Sequence, residues 1–394
     1  MKVVHITTVH AADDIRIFRK ECVSLAQAGY EVVLLAPHQQ NTCQDGVRIE
    51  ALPIVRGRVK RMLGVWRAWR AAVRERADVY HFHDPELLPV GLMLKAGGHR
   101  VVYDVHENFR KQVLTKQWVH PLLRRALGWC VGLLETAGGR VFDGVITATR
   151  SIGENFPKES TVVVQNFPIA EELASIERGP ASQDGPVEIA YVGGITRQRG
   201  ICELVKSMEL IPRSMNVRLA LAGEIRPSSL EHELREQKGF ERVDYHGWCS
   251  RAQVAKLLGR ARLGLVTFLP APNHVNAQPN KLFEYMSAGI PVVASHFPLW
   301  REIIEGVGSG LLVDPEDPQA IANAIEWLVE HPQEAEAMGR RGQAAVHERF
   351  NWEQESASLL AFYQRFRDED RNRCRSSSSI RQSGDCESSI GRAA

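Results

Sequence analysis

The chain has 394 residues, which is too long for one ordinary hydrophobic core and predicts two domains. Its hydrophobic share of 44% and charged share of 24% are typical of a globular protein, and a net charge of +2 argues against a strongly basic nucleic-acid binder. Seven scattered cysteines without a Cys-x-x-Cys pair favour reduced thiols over disulfides or a zinc motif.

Short apolar runs alternate with helical patterns over residues 1–167, which predicts a first α/β domain with a parallel sheet. An amphipathic helix is expected at 16–28, and a helix at 352–367 is expected to pack back on this domain. The strands of this domain are expected at 3–7, 31–36, 79–82, 101–105, 141–147 and 162–165.

Residues 168–186 carry two Gly-Pro pairs and an acidic stretch, which predict an interdomain linker. A second α/β domain is expected over 187–351, and the Ser/Arg-rich residues 368–394 lack apolar periodicity, which predicts disorder. Two Rossmann-like domains that face each other would leave a ligand cleft at the carboxyl ends of their strands. The second domain's strands are expected at 187–192, 218–222, 243–245, 263–267, 291–294 and 310–313, and its helices at 317–330 and 333–349.

The segment 276–295 is the most informative part of the chain, because it predicts a loop, a short helix and a buried strand. Pro279 and Asn280 are expected to start the helix, with Asn280 as its cap, and Gly289 to end it. The unpaired N–H groups and positive dipole at a helix N-terminus favour a phosphate. Glu284, about one turn into the helix, can accept hydrogen bonds from sugar hydroxyls, so the segment predicts a site for a nucleotide-diphosphate sugar.

Five short motifs, in order and with consistent spacing, resemble those of the GT-B glycosyltransferases, specifically the retaining group called family 4 or group 1. The likeness covers roughly residues 1–366. It implies transfer of a hexosyl group from a nucleotide-diphosphate sugar to a glycan or polyprenyl-linked acceptor, with retention, in cell-surface polysaccharide synthesis. It also implies no bound metal or other cofactor. The motifs are Tyr191-Val192-Gly193-Gly194 with Arg199-Gly200, Leu221-Ala222-Gly223, Tyr245-His246-Gly247, Asn280-Lys281-Leu282-Phe283-Glu284 and Gly289-Ile290-Pro291-Val292-Val293-Ala294.

The resemblance assigns the second domain to the donor and the first to the acceptor. The family grips the donor phosphates with a Gly-Arg pair and a lysine about five residues later, whereas here Gly193 is followed by Gly194 and Arg199 stands at the lysine position. We expect Arg199 to clamp the diphosphate, with Arg197 as the lesser candidate, because Arg can hold two phosphate oxygens at once. A Gly-Gly turn lets the backbone approach a ligand closely. The alternative is that both arginines are solvated loop cations.

Glu284 matches the second of two family glutamates and is expected to bind the ribose hydroxyls. The first falls at Asn276, which brings no negative charge and leaves the donor sugar open. Lys281 is a second phosphate candidate, and Asn280 and Leu282 complete the donor motif. The alternative for Lys281 is an ordinary surface lysine.

Trp248 follows a strand where the family seats the nucleotide base, and it either stacks on that base or packs as an ordinary core residue.

His106 ends a strand of the first domain at the place where the family has a cleft histidine near the reacting sugar. A histidine there can orient a hydroxyl or move a proton, the alternative being a structural histidine. The first loop offers His10, Asp14 and Arg16 as residues that shape the acceptor site.

The pair His81 and His83 has metal-ligand spacing, but no third ligand is close in sequence, so no metal is expected.

Two basic segments with tryptophans suggest an anionic membrane surface as a partner. Residues 56–76 hold eight basic residues and one acidic residue, with Trp66 and Trp69 at helical spacing, and 111–134 add Lys111, Lys116, Trp118, Arg124, Arg125 and Trp129. The alternative is that the tryptophan face is domain core. The N-terminus becomes polar too early for a secretory signal, and the longest apolar run is too short for a bilayer. We therefore expect a cytoplasmic protein that is peripheral at the inner membrane face.

Two other functions stay open at this point. One is a nucleotide-sugar 2-epimerase-like enzyme of the same architecture, which would need no acceptor. The other is a non-catalytic partner subunit that binds a nucleotide sugar, which Asn276 and Gly194 favour because they depart from the family pattern.

Overall fold

The structure is a computed structural model that describes residues 1–55, 58–107, 120–170, 172 and 185–387. The chain forms two compact units. The first comprises Met1–His106, Leu133–Val164 and Glu355–Ala394, and the second comprises Glu107–Gly132 and Gln165–Gln354. Most of the expected linker at 168–186 lies outside the described residues.

The first unit contains an eight-stranded sheet in the order β3-β4-β2-β1-β5-β6-β7-β8, in which β3 runs antiparallel to β4 and the other pairs are parallel. Its central strands are short Val/Ile/Leu-rich runs, which suit a sheet buried on both faces. The edge pair β3 and β4 was not predicted. The strands are β1 Lys2–Ile6, β2 Glu31–Pro37, β3 Thr42–Gln44, β4 Val47–Leu52, β5 Val79–Phe82, β6 Arg100–Val105, β7 Gly144–Thr147 and β8 Thr161–Val163.

The first predicted helix begins as a wide π-type helix at Ile15–Cys22 and continues as an α-helix at Val23–Gln27. The carboxylate of Asp14 caps it by accepting hydrogen bonds from two backbone N–H groups of its first turn. Val141, expected in a strand, belongs to a helix, and the strand begins at Gly144. The chain up to residue 163 further contains helices Arg58–Glu75, Pro85–Leu87, Leu88–Ala96, Pro121–Val141 and Arg150–Gly153.

The last helix, Trp352–Glu387, packs on the first unit as the sequence predicts, but it continues past residue 368, where disorder was predicted. Its side chains Phe362, Tyr363 and Phe366 are buried. The extension is held in part by ion pairs from Arg100 to Glu369 and Asp370, at 3.2 and 2.8 Å. Residues 388–394 lie outside the described part.

The second unit contains a six-stranded parallel sheet in the order β11-β10-β9-β12-β13-β14. The strand order reverses between β9 and β12, and ligands of such sheets bind at this switch point, outside the carboxyl ends of the strands. The strands are β9 Val187–Val192, β10 Val217–Ala222, β11 Val243–Gly247, β12 Gly264–Val266, β13 Val292–Ser295 and β14 Gly310–Val313.

Hydrophobic layers cover both faces of this second sheet. Tyr285 is fully buried, and its hydroxyl accepts the Val192 N–H at 2.8 Å. Gly264 leaves room for that ring, since an added Cβ would lie 2.3 Å from it. The helices are Arg197–Arg199, Ile201–Leu210, Arg213–Met215, Ser228–Glu236, Lys238–Arg242, Arg251–Arg260, Asn280–Ser287, Pro298–Val307, Pro318–Glu330 and Pro332–Glu348.

The two basic segments are only partly described. In helix Arg58–Glu75, Ala68 and Ala72 face the core and Trp69 packs against it, whereas Trp66 is 51% exposed. Trp129, on helix Pro121–Val141, is 60% exposed. Lys111, Lys116 and Trp118 lie outside the described residues. Within the described ranges, no helix is both long and apolar enough to cross a membrane.

Candidate functional site

A pocket of about 570 Å³ lies in the second unit, at the carboxyl ends of β9, β10 and β11. This is the side of the switch point at which a ligand is expected. Its wall includes two strand ends, two glycine turns, two arginines and a tryptophan. The lining residues are Val192, Gly193, Gly194, Ile195, Thr196, Arg199, Ala222, Gly223, Glu224, Arg226, Trp248, Cys249 and Val254.

Two glycine turns bring backbone directly to the pocket. Gly193 and Gly223 adopt φ values of +109° and +144°, which side-chain-bearing residues rarely adopt. An added Cβ on Gly223 would lie 2.0 Å from the carbonyl oxygen of Gly193. The turns therefore depend on glycine and leave the backbone accessible to a ligand.

Arg199 and Arg197 lie in different surroundings although they are two residues apart. Arg199 lines the pocket, and its Nη1 donates to the carbonyl oxygen of Gly194 at 3.0 Å. An added Cβ on Gly194 would lie 3.0 Å from the same nitrogen, so the glycine makes room for the guanidinium. Arg197 instead forms an ion pair with Glu233 at the surface and is not among the pocket-lining residues.

Lys281 is a buried cation, not the surface lysine of the alternative interpretation. It is 6% exposed, and its Nζ has no hydrogen-bond partner in the described part of the chain. The Nζ lies 3.6 Å from the centre of the Tyr191 ring and about as far from where a Cβ on Gly193 would be. Burial, and then the charge of Arg199, lower the pKa of Lys281 well below its usual value. An anion bound beside Lys281 would offset both the cost of burying its charge and the repulsion from Arg199.

Glu284 is held by an arginine that the sequence analysis did not identify. Its Oε1 accepts a hydrogen bond from Arg251 Nη1 at 2.6 Å, and Arg251 Nη2 donates to Glu172 at 2.8 Å. Arg251 is the first residue of a helix that Ser250 caps. A cation is electrostatically unfavourable at a helix N-terminus, and this was the available signal that the residue serves another purpose.

Two residues of the donor motif differ from expectation. Pro279 takes the N-cap position and Asn280 is the first helical residue, so Asn280 does not cap the helix. The side chain of Leu282 is fully buried in the core, and its N–H donates to Pro279, so it offers a ligand no side-chain contact. Asn276 is exposed, and Trp248 is 72% exposed at the pocket wall.

A second polar cluster lies in the first unit, around the buried carboxylate of Asp104. It accepts two hydrogen bonds from Arg16, at 3.2 and 3.0 Å, and lies 2.7 Å from His106 Nε2 and 3.1 Å from His83 Nδ1. Burial alone would raise the pKa of Asp104, but Arg16 and then His106 lower it well below its usual value. The predicted strand-end His106 is thus held by a permanent carboxylate.

The first loop contributes fewer candidates than expected. His10 Nδ1 lies 3.2 Å from Asp14, and this contact raises the pKa of His10. Arg16 is buried and bound to Asp104 and to the carbonyl oxygen of Val164, so it supports the fold and is not available to shape an acceptor site.

Two family models match the chain in separate segments. The model described as glycosyl transferases group 1 matches residues 186–331, and the model described as glycosyl transferase 4-like domain matches residues 16–166. Between them they cover most of the chain and both of its α/β segments.

Among curated proteins, the chain is similar to an uncharacterized glycosyltransferase of Methanocaldococcus jannaschii, at 26% identity over 56% of this chain and 59% of that protein. It is also similar to a phosphatidyl-myo-inositol mannosyltransferase of Mycolicibacterium smegmatis, at 24% identity over 86% of each. A match thus spans less than two thirds of the archaeal protein but most of the mycobacterial one.

Solved structures share the fold at low identity. A sucrose-phosphate synthase from Thermosynechococcus elongatus has a TM-score of 0.73 and 20% identity, covering 94% of this chain and all of that one. HepE of Anabaena, solved in complex with UDP, has a TM-score of 0.68 and 15% identity, covering 92% of this chain and 100% of that one.

Proposed function

This chain belongs to the group 1 glycosyltransferases of GT-B fold, and we propose that it transfers a hexosyl group from a nucleotide-diphosphate sugar to a glycan or polyprenyl-linked acceptor, with retention of configuration. The proposed setting is cell-surface polysaccharide synthesis. The observation that carries the donor part is the buried Lys281 ammonium, which has no hydrogen-bond partner within the described structure and lies beside the Gly193 turn.

The diphosphate fits this place for electrostatic reasons. Burial lowers the pKa of Lys281, and repulsion from Arg199 in the free protein lowers it further. A diphosphate between them would turn that repulsion into two charge-assisted contacts. The N-terminus of helix Asn280–Ser287 adds a positive dipole end. In this proposal these groups stabilise the charge that develops on the leaving diphosphate.

Glu284 is proposed to hold the ribose. Arg251 engages Oε1 and thereby fixes the carboxylate, and the proposal assigns Oε2 to the ribose hydroxyls. Trp248 is proposed to stack on the base, and its exposure at the pocket wall supports this role. Because HepE was solved with UDP and with UDP-glucose, uracil is the first base to test.

His106 is proposed to hydrogen-bond to a hydroxyl of the transferred sugar. Asp104 supports this role, because a carboxylate at 2.7 Å fixes the orientation of the imidazole ring.

The departure at Gly194 does not favour the non-catalytic alternative. The family has an arginine at this position, but here the guanidinium of Arg199 lies against Gly194, in space that a side chain there would restrict. A cation is therefore present at the glycine turn although its position in the sequence has changed.

A thermal-shift panel of UDP-, GDP-, ADP- and dTDP-sugars tests the donor site. A ligand at 100 times its dissociation constant should stabilise the protein by about 2.7 kcal/mol. One base class should shift the wild type and the control Glu302→Ala, which changes an exposed glutamate, but not Glu284→Ala. No shift with any nucleotide would contradict the proposal.

A product assay separates the transferase from the epimerase-like alternative. Donor turnover should require a glycan or polyprenyl-linked acceptor and give a product with the donor's anomeric configuration. Release of a free epimerised sugar without acceptor would support the alternative instead.

We further propose that the first basic segment binds an anionic membrane surface. Trp66 is exposed on the same helix as the exposed Arg67, Arg70 and Arg74, which combines an interfacial anchor with positive charge. The protein should co-sediment with phosphatidylglycerol vesicles at low salt, less with Trp66→Ser than with Trp248→Ser as the matched exposed control. Protein that stays in the supernatant at low salt would refute this proposal.

A further inference from the structure

Four titratable side chains converge in the core of the first unit, whereas the pocket described above belongs to the second. His5 on β1, His81 on β5, His83 just after β5 and Glu21 on the first helix are all buried. One ligand atom from each lies within 4.8 Å of the others. His5 and His81 are direct register partners of the parallel pair β1–β5, so the sheet itself holds their rings together.

The hydrogen bonds of the three histidines define one consistent set of tautomers. His83 Nδ1 lies 3.1 Å from Asp104, and its Nε2 lies 3.0 Å from His5 Nδ1. His81 Nδ1 lies 2.8 Å from the Tyr363 hydroxyl. If each Nδ1 donates its proton in these contacts, His5 and His81 both keep a bare Nε2 lone pair. Metal-binding histidines typically have this arrangement, with one nitrogen on the metal and the other hydrogen-bonded.

The remaining polar atoms of the cluster make no hydrogen bond within the described residues. The Nε2 atoms of His5 and His81 and both carboxylate oxygens of Glu21 are buried and have no hydrogen bond to any residue that the structure describes. Glu21 Oε1 lies 3.0 Å from Arg16 Nε, but Arg16 directs its hydrogen bonds to Asp104 and Val164. Buried polar atoms left in this way destabilise a fold unless something satisfies them.

The charges also favour a cation at this place. Two buried carboxylates, Glu21 and Asp104, share the single guanidinium of Arg16. A dication would add positive charge beside the two carboxylates and would use the two imidazole lone pairs.

We propose that His5 Nε2, His81 Nε2 and the carboxylate of Glu21 bind a divalent metal of the zinc type, with His83 orienting His5. Imidazole and carboxylate ligands suit zinc. Two ligand atoms that share one zinc ion at bonds of about 2.0 Å lie at most about 4 Å apart, and the 4.8 Å limit on the separations here is close to that value. No metal was expected from the sequence, because no third ligand lies close in sequence to the pair His81 and His83. The fold supplies Glu21 from 60 residues away.

The full-length chain tests this with zinc and cobalt alone. After chelator treatment and dialysis, it should retain about one equivalent of added Zn²⁺ per chain, and its Tm should rise by roughly 4 °C or more at saturating metal. Substituted Co²⁺ should give visible d–d absorption bands of low-coordinate cobalt with nitrogen ligands. A wild-type chain that retains no zinc, with a Tm unaffected by zinc or chelator, would overturn the proposal.

Variants locate the site. Glu21→Gln should weaken zinc binding at least tenfold, whereas His232→Gln, at an exposed histidine, should bind as the wild type does. Equal zinc retention by Glu21→Gln and wild type would refute the assignment. If Glu21→Gln does not fold, the cobalt spectrum of the wild type decides. The metal cluster shares no residue with the donor pocket, so nucleotide shifts succeed or fail independently of this result.

Discussion

Lys281 shows how a single residue can be suited to a bound state at the expense of the free one. In the free protein its ammonium is buried over the ring of Tyr191 and donates no hydrogen bond to any described residue. Leaving such a group unsatisfied costs about 1–3 kcal/mol. A bound phosphate would remove that cost, so the same residue should weaken the empty fold and strengthen the complex.

Lys281→Met should therefore separate stability from binding. Methionine keeps most of the packing and removes the charge, so the Tm of the free protein should rise while nucleotide affinity falls roughly 10- to 150-fold.

The destabilisation that Lys281 causes in the free protein depends on pH in a definite direction. Because the folded pKa is depressed, the penalty from Lys281 is absent above the usual value of 10.5, grows as the pH falls from there to the folded pKa, and is constant below it. The Tm difference between variant and wild type should thus widen toward lower pH.

Thermal denaturation across pH, with nucleotide titrations, measures both effects. Lys206→Met, at an exposed lysine, is the control and should change neither quantity. A Lys281→Met variant that is less stable than wild type and binds nucleotide equally well would contradict this account.

Arg199 and Arg197 form a natural pair for comparison. Removing a charged hydrogen bond to a phosphate costs about 1.5–3 kcal/mol, so Arg199→Ala should weaken donor binding roughly 10- to 150-fold. Arg197→Ala should leave binding near wild type, because Arg197 pairs with Glu233 outside the pocket lining. Isothermal titration with the donor nucleotide measures both, and equal losses would show that the loop rearranges on binding.

At the scale of elements, the close approach of the two glycine turns, at Gly193 and Gly223, shapes the pocket. Gly223→Ala would place a Cβ 2.0 Å from the Gly193 carbonyl oxygen at a φ of +144°. The free energy of unfolding should fall by about 1–3 kcal/mol and nucleotide binding should be lost. Gly306→Ala is the control, since its Cβ would meet no heavy atom within 4 Å on a helix, and it should be neutral or slightly stabilising. Denaturant unfolding distinguishes the two.

The contact of helix Pro121–Val141 with β6 makes stability depend on pH. Burial raises the pKa of Glu135 from 4.5 to about 7, although a hydrogen bond from Tyr103 opposes the shift. A raised folded pKa means that protonated Glu135 stabilises the fold relative to the ionised form, by on the order of 3 kcal/mol. This stabilisation is complete below about pH 4.5 and is lost as the pH rises through about 7. Glu135→Gln should gain stability relative to wild type between pH 5 and 8, in thermal scans. Glu154→Gln, at an exposed site, should not.

The central strands were predictable because buried parallel strands are continuous apolar runs. Strand β9 at Val187–Val192 has the predicted bounds. The edge strands Thr42–Gln44 and Val47–Leu52 were missed because one is short and polar and the other alternates weakly.

The candidate site likewise has a part that was predictable from the sequence and a part that was not. The glycine turn and the helix at Asn280 follow from local sequence, whereas the partners of side chains do not. Arg251 lies 33 residues from Glu284, and Glu21 lies 60 residues from His81, so neither pairing has a local signal. Register across the sheets and side-chain rotamers bring such residues together, and a single sequence does not display them.

For the whole molecule, separate units with their own cores should unfold in separable steps. Phe366 is buried in the first unit on the last helix, and Phe366→Ala should cost about 3–5 kcal/mol. Calorimetry should show one transition moving down while a nucleotide-dependent transition stays in place. Gln364→Ala, exposed on the same helix, should move neither. A single transition that shifts with both changes would show that the units unfold together.

The last helix has a consequence for synthesis of the chain. The first unit begins at Met1, but its core also contains Phe362 and Tyr363 from the last helix. The Tyr363 hydroxyl forms a hydrogen bond with His81, which lies 282 positions earlier in the chain. A ribosome therefore releases every residue of the second unit, which ends at Gln354, before the first unit has all of its parts. The first unit is therefore the one whose synthesis starts first and whose folding can be completed last. Until then its open core is an exposed apolar surface that a chaperone would recognise.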